Sequence, residues 1–338
     1  MKLLVTGGAG FIGSNFIRYM IKAHPGDTII NFDALTYAGN PENLEDVQNN
    51  PHYHFVHGDI CNEELLYFVV DQFAVDTIVN FAAASHVDRS IYEPGLFIKT
   101  NVLGTQTLLE VAKNKHIKKY LQISTDEVYG SLGSAGYFTE ATPLAPNSPY
   151  AASKASADMI VRSYFETYGL DINITRCANN YGPWHFPEKL IPLIIINALE
   201  NKELPVYGDG KNIRDWLYVD DHCAAIDLVL HQGKPGEVFN IGNHHEMRNI
   251  DLVTLILDKL NKPHRLINYV SDRPGHDRRY AIDASKIKAE LGWQPQYRFE
   301  TGINETIQWY LTHKKWWQKI RSGAYKSYYK HQYGSAIE

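Results

Sequence analysis

The sequence predicts an α/β fold, a doubly wound parallel sheet with a smaller, interleaved C-terminal region, and three features support this prediction. Short β-branched runs alternate with helix-length segments over about the first 175 residues, as in right-handed βαβ units. A glycine-rich turn at residues 7–13 follows the first run and opens the first helix. From about residue 179 the loops lengthen and the helices become scattered. We therefore expect a nucleotide-binding domain at residues 1–178 and mainly a substrate-binding region and tail at residues 179–338.

The individual elements follow from the hydrophobic pattern. Residues 76–82 read Asp-Thr-Ile-Val-Asn-Phe-Ala, an apolar run typical of a strand buried on both faces in a parallel sheet. Residues 216–242 form a later strand–helix–strand pattern that we expect to rejoin the sheet. The predicted strands are residues 2–6, 28–33, 52–57, 77–82, 120–125 and 171–177, and the predicted helices are residues 11–23, 62–73, 94–114 and 148–168.

Composition excludes several classes of protein. The 338 residues are 44% hydrophobic and 21% charged, which excludes a disordered chain or a coiled coil. The 33 basic and 38 acidic residues give a net charge of −5, which argues against nucleic-acid binding. There is no run of eighteen apolar residues and no signal peptide, so no membrane association is expected. Three scattered cysteines indicate neither a disulfide framework nor a metal site, and the expected location is the cytoplasm.

The glycine-rich turn has the spacing of a Rossmann-type dinucleotide site. Gly7, Gly10 and Gly13 allow a tight turn, close approach of a pyrophosphate to the backbone and close packing of the helix on the sheet. Asp33 ends the second strand twenty residues after Gly13, where a carboxylate accepts a hydrogen bond from the adenosine ribose and repels a 2′-phosphate. NAD is therefore the expected cofactor rather than NADP, with Asp59 reaching the adenine.

A tyrosine and a lysine are placed to transfer protons beside this cofactor. Tyr150 and Lys154 stand four residues apart, so a helix presents both on one face. An ammonium beside a phenol lowers the phenol pKa from about 10, and such a pair can take a proton from a sugar hydroxyl while a hydride leaves its carbon. Ser124 and Thr125 lie at the carboxyl end of a strand, the edge at which doubly wound sheets bind ligands.

These motifs resemble the extended short-chain dehydrogenase/reductase family over about residues 1–310. Asp126 and Glu127, directly after Thr125, narrow the resemblance to the nucleotide-sugar 4,6-dehydratases. Further matching stretches are residues 33–39, 85–90, 179–183, 186–192, 208–216 and 272–280.

The resemblance implies a lyase that uses oxidoreductase machinery. Oxidation at C4 of the sugar acidifies the C5 proton, water is lost across C5–C6, and the hydride returns to C6. The family pattern makes Glu127 the base at C5 and Asp126 the acid at C6, although adjacency alone does not decide between them. The acid needs a raised pKa, and Thr125 is expected to hydrogen-bond the C4 oxygen.

The resemblance also implies ligand contacts and a substrate. The substrate is a nucleotide-sugar, dTDP-glucose by resemblance, with UDP- and CDP-glucose left open by the residues themselves. The expected cofactor contacts are Gly7, Gly10, Phe11, Ile12, Gly13, Asp33, Leu35, Thr36, Asp59, Ile60, Ala82, Ala83, Ser85, Thr100, Tyr150, Lys154 and Asn180. The expected substrate contacts are Ser85, Thr125, Asn179, Lys189, Leu190, Pro205, Tyr207, Arg214, Asn249, Arg273 and His276.

Two other functions compete with this interpretation. A nucleotide-sugar 4-epimerase or decarboxylase of the same family needs the Tyr150–Lys154 pair and NAD but has no use for Asp126 and Glu127. A non-catalytic, NAD-sensing protein need not retain Thr125 with that pair. The sequence departs from the family at Ala84, where a glutamate is usual, and this departure does not touch the proton-transfer groups.

Three further expectations concern assembly, metal binding and the C-terminus. The helices at residues 94–114 and 148–168 resemble the family's four-helix bundle, which implies a homodimer. The fifteen histidines show no ligand spacing with acids or cysteines on a shared helix face, so no metal is expected. After Leu311 the chain carries six Lys or Arg and six Trp or Tyr but one acid, and we expect a packed helix with solvated basic ends.

Overall fold

A computed structural model describes residues 1–322 and places twelve strands within them. Six of the strands overlap the six runs predicted from the sequence, whereas the short strands at residues 179–181, 204–207, 246–248 and 267–270 were not predicted. The strands are β1 Lys2–Thr6, β2 Thr28–Asp33, β3 Tyr53–His57, β4 Thr77–Asn80, β5 Lys119–Thr125, β6 Ile172–Cys177, β7 Asn179–Tyr181, β8 Leu204–Tyr207, β9 Ile213–Tyr218, β10 Val238–Ile241, β11 Glu246–Arg248 and β12 Ile267–Val270.

Two of the helices begin at residues whose side chains cap them. Asn62 accepts a hydrogen bond from the Leu65 amide ahead of α2, and Ser148 accepts one from the Ala151 amide ahead of α6. The helices are α1 Phe11–Ala23, α2 Glu63–Phe73, α3 Val87–Tyr92, α4 Pro94–Phe97, α5 Thr105–Asn114, α6 Pro149–Tyr168, α7 Leu190–Leu199, α8 Val219–Gln232, α9 Asn249–Lys259, α10 Ser285–Leu291, α11 Phe299–Thr312 and α12 Lys314–Arg321.

The central sheet confirms the predicted fold class. Its seven strands run in the order β10-β6-β5-β4-β1-β2-β3, and every pairing between them is parallel. The strand order reverses direction between β1 and β4, and ligands bind such sheets at the carboxyl ends of the strands beside that switch. The glycine turn after β1 and the segment after β4 therefore face one crevice.

The strand–helix–strand pattern at residues 216–242 divides between two sheets. Strand β10 pairs with β6, Val238 opposite Ile174, and so extends the central sheet. Strand β9 lies instead in a three-stranded sheet between β11 and β7. The expectation that both strands rejoin the central sheet therefore holds for β10 and not for β9. The domain division at residue 178 stays a prediction.

The helix predicted at residues 94–114 is interrupted in its middle. The chain is π-helical over Ile98–Gly104, between α4 and α5. The side chain of Asn101, buried in this segment, exchanges hydrogen bonds with the backbone of Ala84 and donates to Ser153 on α6. A wider helical turn brings this amide to both partners, and π-helical turns of this kind are frequent beside functional sites.

The C-terminal helix α12 is anchored by its tryptophans. Trp316 and Trp317 are buried, and their indole nitrogens donate to the Asn43 side chain and to the Tyr310 carbonyl. The packed helix expected after Leu311 is thus present at residues 314–321, while the rest of that prediction lies outside the described residues. None of the helices described is both long enough and apolar enough to cross a bilayer.

Candidate active site

A cavity of about 430 Å³ opens at the carboxyl ends of the central strands. This volume lies within the usual range for small-molecule sites. All five predicted catalytic residues line it, namely Thr125, Asp126, Glu127, Tyr150 and Lys154. Sixteen of the seventeen predicted cofactor residues line it as well, the exception being Leu35. The predicted substrate residues in its wall are Ser85, Thr125, Asn179, Lys189 and Leu190.

The glycine turn leaves no room for side chains where it approaches the sheet. Gly7 has a φ of +69°, and a Cβ there would stand 2.6 Å from the Ala82 nitrogen. A Cβ on Gly13 would stand 2.4 Å from the Gly7 carbonyl oxygen. Within the described residues no side chain caps the start of α1, which follows Gly10. The turn and the helix N-terminus therefore form a cradle that fits a dinucleotide pyrophosphate.

Asp33 is held rigidly at the end of β2. Its two carboxylate oxygens accept hydrogen bonds from the backbone amides of Ala9, at 2.9 Å, and Leu35, at 2.8 Å. Burial raises the pKa of Asp33, and these two amides act in the opposite direction. Leu35, predicted as a cofactor contact, instead lies outside the cavity wall and orients this carboxylate through its backbone. The sequence could not show that role because it belongs to the main chain.

Asp126 is arranged to keep its proton. Its side chain is buried at the end of β5, and Oδ2 has no hydrogen-bond partner among residues 1–322. The Thr125 hydroxyl donates to Oδ1 at 3.3 Å. Burial and the neighbouring Glu127 carboxylate raise the pKa of Asp126 well above its usual value. A carboxyl group in this environment can act as a general acid near neutral pH.

Glu127 has a different electrostatic environment from its neighbour. Burial has the largest effect and leaves the pKa of Glu127 raised, while the cationic side chains of Arg273, Arg214 and Lys189 act to lower it. The position of Glu127 is fixed by its backbone amide, which donates to Thr125 Oγ1 at 3.2 Å. The cationic surroundings favour the ionised form of Glu127, the form that a base requires.

Lys154 and Tyr150 lie on α6 as predicted, but the pKa of Tyr150 differs from the expectation. Burial, with the Glu127 carboxylate next in importance, raises that pKa well above its usual value, whereas a lowered pKa was expected. Lys154 donates to the Ile123 carbonyl at 2.7 Å, and burial lowers its own pKa. The difference arises because charging a phenol inside a closed cavity is costly, which a Tyr-x-x-x-Lys spacing does not reveal.

The remaining predicted substrate residues do not line the cavity. Arg273 and Tyr207 both donate to the Asp88 carboxylate, at 2.8 and 3.0 Å. Arg214 donates to two backbone carbonyls and lies over the Tyr280 ring. The predicted substrate residues absent from the cavity lining are Pro205, Tyr207, Arg214, Asn249, Arg273 and His276. Arg214 and Arg273 still act on the site, since both lower the pKa of Glu127.

Several residues of the site have no role in the sequence analysis. Glu188 lines the cavity, is 4% exposed and accepts hydrogen bonds from Arg89. His185, also in the wall, stacks on Phe11 with ring centroids 4.2 Å apart. Glu188 and His185 fall in or beside the matching stretch at residues 186–192, so position in the stretch was the available signal. Tyr37 and Lys99 are further lining residues without an assigned role.

Comparisons with known proteins agree with this geometry. The family model described as GDP-mannose 4,6 dehydratase matches residues 4–306. The dTDP-glucose 4,6-dehydratase of Salmonella typhimurium is 50% identical, over 98% of this chain and 99% of that protein. The dTDP-glucose 4,6-dehydratase of Bacillus anthracis, solved in complex with NAD, is 55% identical over 95% of this chain and 99% of that one, with a TM-score of 0.89.

A second solved structure extends the agreement to another bound ligand. The dTDP-glucose 4,6-dehydratase of Streptomyces venezuelae, with NAD and TYD bound, is 50% identical over 95% of this chain and 100% of that one, with a TM-score of 0.93. Each of these relatives is matched over nearly the whole of this chain and of its own chain. The match to the family model contains every residue that lines the cavity. The chain therefore belongs to the family of nucleotide-sugar dehydratases described as GDP-mannose 4,6 dehydratase.

Proposed function

We propose that this chain is an NAD-dependent dTDP-glucose 4,6-dehydratase, which makes dTDP-4-keto-6-deoxyglucose. The observation that carries the proposal is that the buried Asp126 and the half-buried Glu127 lie in one cavity with Thr125, Tyr150 and Lys154. An epimerase needs the last three residues but has no use for the two adjacent carboxyl groups. The dTDP-glucose 4,6-dehydratases that are 50% identical to this chain over nearly its whole length support the same reaction.

The cavity wall fits NAD. Gly7, Gly10 and Gly13 leave space for the pyrophosphate, and Asp33 offers a fixed carboxylate to the adenosine ribose. When bound, NAD supplies a hydride acceptor for C4 of the sugar and later a hydride donor for C6. Lys154 places its ammonium deep in the same wall, beside the carboxyl end of β5. Two related dehydratases are solved with NAD bound, which supports this assignment.

Oxidation at C4 requires a group that takes the hydroxyl proton. Tyr150 serves as that acceptor, and Thr125 holds the same oxygen through its hydroxyl. The raised pKa of Tyr150 makes the neutral phenol the resting form, so the phenolate depends on positive charge close to the ring. Lys154, on the next turn of α6, supplies that charge.

Loss of water then divides between the two carboxyl groups. Glu127, surrounded by cationic side chains, removes the C5 proton. Asp126, whose pKa is raised by burial and by the Glu127 carboxylate, gives its proton to the C6 hydroxyl, which leaves as water. The cationic side chains that act on Glu127 and the burial of Asp126 with an unpartnered Oδ2 support this assignment of base and acid, which adjacency in the sequence left open.

The test of this proposal is incubation of the purified protein with dTDP-glucose, followed by mass spectrometry. A product lighter by one water molecule supports dehydration. A product of unchanged mass that co-elutes with dTDP-galactose supports the epimerase, and no turnover supports the non-catalytic, NAD-sensing protein. Competition with UDP-glucose and CDP-glucose in the same reaction identifies the preferred nucleoside of the substrate, which we propose is thymidine.

Replacing Asp33 with asparagine is expected to weaken the preference for NAD over NADP. Asparagine loses the charge that repels a 2′-phosphate, and its amide nitrogen cannot accept the hydrogen bond from one of Ala9 and Leu35. The ratio of the two dissociation constants should fall about tenfold or more, or 1.4 kcal/mol. Calorimetric titration of cofactor-free protein measures it. Asp71→Asn, at an exposed position far from the cavity, should leave the ratio unchanged.

Replacing Arg273 with glutamine is expected to move the acidic limb of the kcat/KM profile to higher pH. Arg273 is the largest of the cationic influences that lower the pKa of Glu127. Its removal raises that pKa, and the base must be deprotonated, so the loss of activity is greatest at acidic pH and shrinks as pH rises. Arg278→Gln, which removes an exposed arginine paired with Asp209, is the matched control. An unchanged limb in Arg273→Gln would contradict this electrostatic role.

We also propose that the chain assembles as a homodimer. Leu108, Leu109 and Val111 on α5 are fully buried in the core cluster that includes strand residues, so they offer no surface to a dimer. Other apolar side chains within residues 94–114 and on α6 are exposed, and they support a homodimer through a four-helix bundle. They are Leu96, Ile98, Leu103 and Met159. Light scattering on the protein as it elutes from a size-exclusion column measures its molar mass, and the mass of two chains would support the dimer.

We place the enzyme in the cytoplasm, supplying dTDP-rhamnose biosynthesis for polysaccharides. Cys61, Cys177 and Cys223 are all free thiols, as expected in a reducing compartment. A 4-keto-6-deoxy sugar is activated for further epimerisation and reduction, the steps that a deoxyhexose pathway needs. Incubation of the purified product with enzymes that form dTDP-rhamnose tests the pathway, and conversion of the product to dTDP-rhamnose would support it.

A further inference from the structure

Three side chains that bind metal ions well meet on the far side of the protein from the cavity. His24 caps the end of α1, and Asp227 and His231 lie one turn apart near the end of α8. Helices α1 and α8 pack against each other at this point. No metal was expected from the sequence, because no histidine was seen at ligand spacing from an acid or a cysteine on one helix face. In the structure, Asp227 and His231 are four residues apart and share one face of α8. The third residue is 203 positions away from Asp227 along the chain.

The ligand atoms are already gathered. His24 Nε2 lies 2.9 and 3.1 Å from the two carboxylate oxygens of Asp227, and His231 Nδ1 lies 2.9 Å from Oδ1. One potential ligand atom from each residue falls within a group no wider than 4.8 Å. In a tetrahedral zinc site with bonds of about 2.1 Å, neighbouring ligand atoms are about 3.4 Å apart. The two nitrogen–oxygen separations of 2.9 Å are about 0.5 Å shorter than this, so each imidazole must move slightly away from the carboxylate to admit an ion.

The chemistry of the three ligands selects one class of ion. Two imidazole nitrogens and one carboxylate suit zinc, nickel, cobalt and copper, whereas magnesium and calcium prefer oxygen ligands alone. The side chains of His24 and His231 are 31% and 33% exposed, so an ion can enter and solvent can supply the fourth ligand. Asp227 is 13% exposed, which limits competition by water for its carboxylate.

The two histidines are already in contact with each other and with α8. Their rings stack with centroids 4.6 Å apart, and His231 Nδ1 also lies 3.0 Å from the Asp227 carbonyl oxygen. Binding of an ion to this nitrogen therefore replaces a contact between the side chain and the helix backbone, and it requires the neutral imidazole.

We propose that His24, Asp227 and His231 form a binding site for one divalent transition-metal ion of the zinc class. The ion joins the end of α1 to α8 and thereby stabilises the helix whose opposite end forms the cofactor turn. The site lies outside the catalytic machinery and takes no part in the reaction. It is independent of the proposed function, because its ligands do not line the cavity.

Calorimetric titration of the full-length protein with zinc chloride tests the proposal, with thermal unfolding as the second readout. The expected result is one ion per chain and a higher Tm with zinc than with magnesium. His231→Gln should weaken zinc binding about tenfold or more and remove the rise in Tm. His264→Gln, which alters a surface histidine paired with Asp258 alone, is the matched control and should bind zinc as the native chain does.

Two results would overturn the proposal. One is the absence of zinc binding by the native chain, and the other is an unchanged affinity in His231→Gln, which would place the ion elsewhere. If His231→Gln unfolds, His24→Gln, at the helix cap, is measured in its place with the same expectation. Circular dichroism without zinc verifies that the variant compared is folded.

Discussion

Glu127→Gln is expected to lower the kcat for dehydration of dTDP-glucose by about 10²–10⁴-fold while NADH accumulates on the enzyme. Glutamine fills the same space but cannot take the C5 proton, so the reaction stops after oxidation at C4. Tyr150, Thr125 and Lys154 are untouched, and oxidation therefore proceeds. Rapid mixing with substrate, followed by NADH absorbance and by the mass of the product, measures both steps in one experiment.

The control for this variant is Glu290→Gln, an exposed position remote from the cavity, which should match the native rate. Asp126→Asn should also accumulate NADH, since it removes the acid for the C6 hydroxyl. The two carboxyl variants differ in solvent exchange at C5, which Asp126→Asn retains and Glu127→Gln loses. Dehydration by Glu127→Gln at the native rate would show that the base is another residue.

Tyr150→Phe is expected to reduce kcat by about 10²–10⁴-fold as well, but with no NADH formed. Phenylalanine keeps the ring that packs near Phe97, with centroids 6.2 Å apart, and removes only the oxygen that accepts the C4 proton. The block therefore comes before oxidation rather than after it. The same absorbance experiment separates this variant from Glu127→Gln.

Tyr37→Phe provides a matched control within the cavity. Its hydroxyl lies 3.3 Å from Ser85 Oγ, and the sequence assigns it no proton-transfer role. It should oxidise and dehydrate the substrate with kcat within a few fold of the native enzyme. Substantial NADH formation by Tyr150→Phe would mean that another group accepts the C4 proton.

The parts of the site predicted from sequence are those whose backbone position follows from local pattern. The glycine turn, Asp33 and the Thr125–Glu127 segment each sit at the carboxyl end of a parallel strand, and the strand order brings such ends to one edge. Tyr150 and Lys154 needed only a helix to share a face. Local spacing was sufficient for these residues because the fold fixes where strand and helix ends meet.

The features that sequence could not supply depend on burial and on distant partners. The raised pKa of Tyr150 reflects a closed cavity and the Glu127 carboxylate, neither of which is visible in a Tyr-x-x-x-Lys pattern. Arg273 donates to Asp88, which is 185 residues away along the chain, so this partner could not be predicted from the stretch that contains Arg273. The π-helical segment was missed because the hydrogen bonds of Asn101, to Ala84 and Ser153, are tertiary.

The most direct test of the central claim follows a deuterium label from C4 of dTDP-glucose. If the chain oxidises C4, eliminates water and returns the hydride to C6, the label should appear in the methyl group at C6 of the 4-keto-6-deoxy product. The total NAD content of the enzyme should be unchanged at the end. Proton and deuterium NMR of the purified product locate the label. Recovery of the label at C4 in a product of unchanged mass would contradict the dehydratase account and establish epimerisation instead.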